Sequence, residues 1–240
     1  MKKYPILILH GWNLNAIKYD PLITEFKKRG FEVACFDLPG FRCTTSLQSP
    51  YTIADYGIYI IDYLKKLKYK EVIVIGHSFG GRVGIYLSLN FPETVKALII
   101  TGTPGLGADL TIKEEIYLLA AKTGKKIFSI PHLSNLQDLA RRVLYKFVGS
   151  YDYYKTQGVL RETFKNIIAY RLEPFLDKIT QPTLIVWGEE DKIVPVKVAY
   201  GMNRLIKNSK IVIIPKSRHG VPWTNSMTFA NEVERFLNVI

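Results

Sequence analysis

The chain has few cysteines, no long apolar run, no basic block and no metal-ligand spacing. Its 240 residues include no apolar stretch near the roughly 20 needed to cross a bilayer, so no membrane span is expected. Lys2-Lys3 followed by Tyr4 to Leu9 resembles the start of a secretory signal. The apolar run is too short, however, and His10-Gly11 ends it, so it reads as a strand in a cytoplasmic protein. Two cysteines, Cys35 and Cys43, make no disulfide framework and no CxxC, and both are expected as reduced thiols. His10, His77, His132 and His219 show no H-x-x-x-H or mixed Cys/His spacing, so no metal is expected. The formal net charge is +12, yet the basic residues come in short clusters such as Lys27-Lys28-Arg29 and Arg141-Arg142. That pattern fits solvated helix faces and recruitment of an acidic substrate better than nucleic-acid binding. The expected partner is a small-molecule substrate.

What is present is an α/β rhythm. Residues 5–9 (PILIL) form a continuous apolar run, as a strand buried on both faces requires. Helical spacing over Ile17–Arg29 stops at Gly30; a strand follows over Phe31–Phe36, then a helix over Ile53–Leu67. Glu71–Ile75 reads as a strand, Ser78–Asn90 as a helix and Val95–Thr101 as a strand. Between Pro104 and Lys178 the rhythm breaks into helical patterns at roughly 111–122, 133–147 and 156–171, rich in aromatics from Tyr117 to Tyr170. It resumes with Thr183–Trp187 (strand), Val196–Ile206 (helix), Lys210–Ile214 (strand) and Asn225–Val239 (helix). Such alternation predicts a parallel sheet covered by helices, with core residues 1–104 and 179–240 and a helical insertion at 105–178.

Gly76-His77-Ser78-Phe79-Gly80 follows a strand and opens a helix. A serine hydroxyl is a weak nucleophile unless exposed and paired with a base. A G-x-S-x-G turn supplies the exposure, and its sharpness demands small residues two before and two after the serine. Gly76 and Gly81 also have P-loop spacing, but Arg82 and Val83 stand where the phosphate lysine and the Mg²⁺-binding hydroxyl would be needed. Acyl transfer also requires two donors aimed at a developing oxyanion. Phe79 N–H, just after the serine, and Trp12 N–H, in the loop after the first strand, are the candidates. Three acids, Glu189, Glu190 and Asp191, follow the strand at 183–187, and His219 follows the last strand. Serine, acid and histidine thus each lie on a loop after a parallel strand, which brings all three to one edge of the sheet.

Together LILHGW (7–12), DLPGF (37–41), GHSFGG (76–81), FPETVKALIITG (91–102), PTLIVWGEEDKIVP (182–195) and IPKSRHG (214–220) resemble the α/β-hydrolase superfamily. The resemblance implies a catalytic triad of Ser78, Asp191 and His219, with Asp191 rather than its glutamate neighbours as the acid. It implies Trp12 and Phe79 as oxyanion-hole donors, a lid over the site from residues near 105–178, and esterase-like chemistry without a cofactor. The same triad serves C–C bond hydrolases, lactonases and acyltransferases, as well as non-catalytic hydrolase-like binding proteins. Two features depart from the family pattern. Four residues precede the first strand, where members usually carry an antiparallel hairpin, so about six strands are expected. Arg42-Cys43-Thr44-Thr45 replaces the small residue and serine that commonly follow DLPGF.

Overall fold

The computed structural model describes residues 3–42, 44, 46–106 and 157–240. Its centre is a six-stranded sheet: β1 (Ile6–Leu9), β2 (Val33–Cys35), β3 (Val72–His77), β4 (Val95–Thr101), β5 (Thr183–Gly188) and β6 (Ser209–Ile214), in the order β2-β1-β3-β4-β5-β6. Every adjacent pair is parallel. The sheet is therefore wholly parallel among the described residues.

Burial of both faces explains the apolar strands. Alternate residues point opposite ways, so Leu7, Leu9, Val74, Leu98, Ile100, Ile185 and Trp187 pack on one face. Ile6, Ile8, Ile73, Ile75, Ile99, Leu184 and Val186 pack on the other. The first face is covered by α2 (Ile53–Lys66), α3 (Phe79–Asn90), α4 (Gly158–Ala169) and α5 (Lys197–Leu205). The second is covered by α1 (Asp20–Lys28), α6 (Val221–Thr224) and α7 (Ser226–Leu237). Helix starts follow local chemistry. Thr52 and Asp55 form a reciprocal capping box at α2, and Pro21 lies in the first turn of α1.

Several boundaries differ from the sequence reading, among them β2, which is confined to Val33–Cys35 of the expected Phe31–Phe36. The helix expected from Ile17 begins as a 3-10 turn, Ala16–Tyr19, because the Asn15 side chain caps Lys18 N–H before Asp20-Pro21 restarts the chain as α1. β3 runs two residues further than expected and carries His77 inside the sheet. The closing helix is broken at Asn225 into α6 and α7. Of the expected insertion at 105–178, residues 157–178 form α4 and a 3-10 turn, Glu173–Lys178. The helices expected at 111–122 and 133–147, the aromatics from Tyr117 to Tyr154, His132 and Cys43 lie outside the described residues.

Arg82 fastens α4 to the core. Only 7% exposed, it donates through Nη1 to Pro104 O (2.8 Å) and through Nη2 to Ile167 O (2.7 Å) and Tyr170 O. The last two carbonyls end α4, where a cation also meets the negative end of the helix dipole. Among the described residues no carboxylate forms an ion pair with Arg82, and burial lowers its pKa to about 10. In the middle of α4, Thr163 Oγ1 accepts from Tyr51 N–H (3.0 Å).

Replacing Arg82 by Met strips these carbonyls of their donor while keeping most of the volume. A loss of about 3 kcal/mol is expected. Urea denaturation checks it, and Arg82→Lys should recover only part, since an ammonium cannot reproduce the planar fork.

Candidate active site

Because the strands are parallel, the turns after β1, β3, β4, β5 and β6 all emerge at one edge. The sheet order reverses direction between β1 and β3, which opens a crevice between the loops that follow them. Trp12 lies in the first of these loops and Ser78 in the second.

Ser78 occupies the turn from β3 into α3 with φ 52° and ψ −114°. A non-glycine residue held there costs on the order of 1–3 kcal/mol. The surroundings hold it in place: Ser78 N–H donates to Thr101 O (2.9 Å), and Ser78 O accepts from Gly81 N–H (3.0 Å). The flanking glycines are required by space. A Cβ on Gly76 would stand 2.6 Å from Gly80 O, and one on Gly80 would overlap the Leu9 carbonyl. Phe79 begins α3, so its N–H belongs to the first turn, where helices lack internal acceptors.

The acid loop separates the roles of its three carboxylates. Asp191 is 5% exposed, and its Oδ1 accepts from Ile193 N–H and Val194 N–H, both at 2.9 Å. Its Oδ2 lies 2.7 Å from His219 Nδ1. Trp187 Nε1 donates to Val194 O (2.9 Å) and fixes the loop to the core. Glu189 instead accepts from Lys216 N–H, and Glu190 faces Arg218 at 4.0 Å near the surface. Backbone bonds Glu189 N to Ile214 O and Glu190 N to Ser217 O stitch the acid loop to the histidine loop. A carboxylate can only accept, so His219 Nδ1 carries the proton of this bond and Nε2 is left facing away from Asp191. The His219 ring lies over Gly102, where a Cβ would come within 2.7 Å of Cε1. Gly102 directly follows Thr101, whose carbonyl holds Ser78.

The loop after β1 is fixed from both sides. Gly11 O accepts from His10 Nδ1 (2.8 Å) and Leu14 N–H (3.1 Å). In a trans peptide the following N–H points opposite to the carbonyl, so these two bonds set the direction of Trp12 N–H. His10 Nε2 accepts from Leu38 N–H (2.9 Å), tying this loop to DLPGF. The Trp12 ring meets Phe41 (4.9 Å), Phe79 (5.3 Å) and Phe164 of α4 (4.9 Å) edge-on. The two candidate donors thus belong to residues whose side chains pack together, beneath an element of the expected lid.

Sequence reasoning missed several residues. His77 was only the variable position of the serine turn, Tyr19 only part of a helix, and Arg82 only a missing phosphate lysine. A visible signal existed for each. His77 is a polar residue within an apolar strand, and Arg82 is the only charge in a helix that otherwise reads apolar and small.

A family model described as alpha/beta hydrolase fold matches residues 4–226. The chain belongs to this family. As an alpha/beta hydrolase it is 28% identical over 99% of its length to the 2-hydroxy-6-oxo-6-(2'-aminophenyl)hexa-2,4-dienoic acid hydrolase of Metapseudomonas resinovorans, covering 85% of that protein. It is 24% identical over 97% of its length to a bifunctional esterase/perhydrolase of Acinetobacter calcoaceticus, covering 91% of it. Among solved structures, a serine hydrolase involved in carbazole degradation superposes with a TM-score of 0.72 at 26% identity, over 100% of this chain and 92% of that one. The relatives of this hydrolase thus include both dienoic acid hydrolases and esterases.

Burial holds the pKa of His10 below, and that of His77 well below, the ordinary imidazole value. Above about pH 6.5 both are neutral whether the chain is folded or not. Below it the unfolded chain takes up protons that the folded chain refuses, so stability falls as pH drops through about 6.5 toward the lowered folded values. The slope approaches about 1.4 kcal/mol per pH unit for each histidine. Denaturation midpoints at pH 7.5 and 5.5 check this, and a higher midpoint at pH 5.5 would contradict neutral burial.

Proposed function

We propose that this protein is a serine hydrolase acting on a small ester or related carboxylic substrate through Ser78, His219 and Asp191. The observation that carries the reading is the 2.7 Å bond from His219 Nδ1 to the buried Asp191, which leaves Nε2 as the basic nitrogen of a ring that stands 4.7 Å from that of His77, the residue before Ser78.

His219 Nε2 takes the Ser78 Oγ proton as Oγ bonds to the substrate carbonyl carbon. Negative charge moves to the carbonyl oxygen, where Phe79 and Trp12 N–H groups donate. Asp191 stays ionised and stabilises the imidazolium without taking its proton. The intermediate collapses, the alkoxide leaves with the proton from His219, and an acyl group remains on Ser78. Water then attacks the acyl carbon with His219 again as base, which releases the acid and restores Ser78. The aromatic cluster of Trp12, Phe41, Phe79 and Phe164 supports an apolar wall for the acyl or leaving group.

A second reading, cleavage of a C–C bond in an oxo-dienoic acid by the same residues, is favoured by the 28% identical relative named for such a substrate. The positive net charge suits an acidic substrate of this kind.

A panel of p-nitrophenyl esters of increasing chain length separates the readings. Turnover of short esters is expected, with kcat falling by roughly 10³-fold or more in Ser78→Ala and in Asp191→Asn. A Ser78→Ala protein with wild-type turnover would overturn the assignment. A wild type inert to the whole panel that consumes an oxo-dienoic acid would establish the second reading.

A further inference from the structure

We propose that Tyr19 and His77 are positioning residues for the reaction: a one-way hydrogen-bond chain through them holds the loop bearing Trp12 and the loop bearing His219 in register. The inference rests on the proposed hydrolase function and assigns roles to two residues that the mechanism leaves unused.

The chain has four members. Gly11 N–H donates to the Tyr19 hydroxyl oxygen (3.0 Å). The Tyr19 hydroxyl lies 2.8 Å from His77 Nδ1, and His77 Nε2 lies 3.1 Å from His219 O. Its ends fix its direction. A peptide N–H can only donate and a peptide carbonyl can only accept. His77 Nε2 must therefore carry the proton, its Nδ1 accepts from Tyr19 O–H, and the Tyr19 oxygen accepts from Gly11. A second proton on His77 would turn the Tyr19 O–H out of the chain and reverse the middle link.

The surroundings enforce this neutral tautomer. Tyr19 and His77 are both buried, under the half-buried Trp223, whose ring stands edge-on to each. The titratable groups facing His77 are Tyr19, His219 and His10, and none supplies a negative charge. The His77 and His219 rings are 4.7 Å apart between centroids. A charged His77 would oppose the imidazolium that must form on His219, whereas a neutral one does not.

The chain also explains a glycine. A Cβ on Gly11 would stand 2.9 Å from His77 Nδ1, closer than carbon and nitrogen can pack. The glycine of His10-Gly11-Trp12 thus admits the His77 ring against the loop. Its own N–H is held by Tyr19 and its C=O by His10 and Leu14, so both peptides that flank Gly11 are pinned. Trp12 N–H belongs to the second of them. At the far end, the His77 bond holds the main chain of His219, while Asp191 holds its ring. Displacements near 1 Å in such groups slow a reaction by roughly 100-fold.

The test uses two readouts on the full chain. In the first, nitrogen–proton correlation spectra of the wild type should show His77 neutral with its proton on Nε2. In Tyr19→Phe its Nδ1 signal should move as the hydrogen bond is lost. In the second, Tyr19→Phe should lower kcat for the best ester substrate by roughly tenfold or more with KM within about twofold. His77→Leu breaks the next link, should show the same split, and carries the test if Tyr19→Phe does not fold. A proton on Nδ1 of His77, or a folded variant with wild-type kcat, overturns the proposal. A wild type without hydrolytic turnover overturns the hydrolase reading instead and takes this role with it, while the tautomer still tests the chain of bonds.

Discussion

The parallel direction of the strands is the constraint on which the rest of this molecule depends. Two strands joined by a short hairpin would send successive turns to opposite edges. Helical crossovers return the chain to the same edge each time, and β1, β3, β5 and β6 therefore deliver Trp12, Ser78, Asp191 and His219 to one place. Parallel pairing needs both faces covered, hence the nearly continuous apolar strands and helices on either side. The reversal of order between β1 and β3 adds the crevice. No single loop builds the site; it exists because loops far apart in sequence share an edge.

Within that edge, hydrogen bonds to groups that can only donate or only accept fix the protonation pattern. His10 gives a proton from Nδ1 to Gly11 O and accepts at Nε2 from Leu38 N–H. His77 has the opposite tautomer, accepting at Nδ1 and donating at Nε2. His219 has Nδ1 committed to Asp191. Burial lowers the pKa of His10 and His77 and so disfavours charge on either, which leaves the charge that develops during the proposed reaction to His219, where Asp191 faces it. The strain at Ser78 belongs to the same design. The backbone is held in a costly conformation by bonds to Thr101 and Gly81, at the point where β3 turns into α3.

Much of this was legible in the sequence because it depends on local rules. Apolar runs bounded by turn residues located the six strands, and Gly76, Gly80 and Gly81 announced a turn too tight for side chains. The register of the acid loop was not legible. Glu189, Glu190 and Asp191 are equivalent as carboxylates, and only the backbone bonds of that loop turn Asp191 inward while Glu189 caps Lys216. Tyr19, His77 and Arg82 were hidden for a related reason. Apart from the bond between Tyr19 and His77 themselves, their hydrogen-bond partners are main-chain groups 8 to 142 positions away, and a peptide N–H or C=O leaves no mark in a sequence.

The central claim is that Ser78 is the group this edge activates. Reaction with a fluorophosphonate, followed by peptide mass mapping, tests it most directly, because the reagent bonds covalently to a serine that has a base and an oxyanion site beside it. The account predicts one adduct per chain, on the peptide containing Ser78, and none in Ser78→Ala. A folded wild-type protein that carries no adduct, or carries it on another residue, would contradict the account.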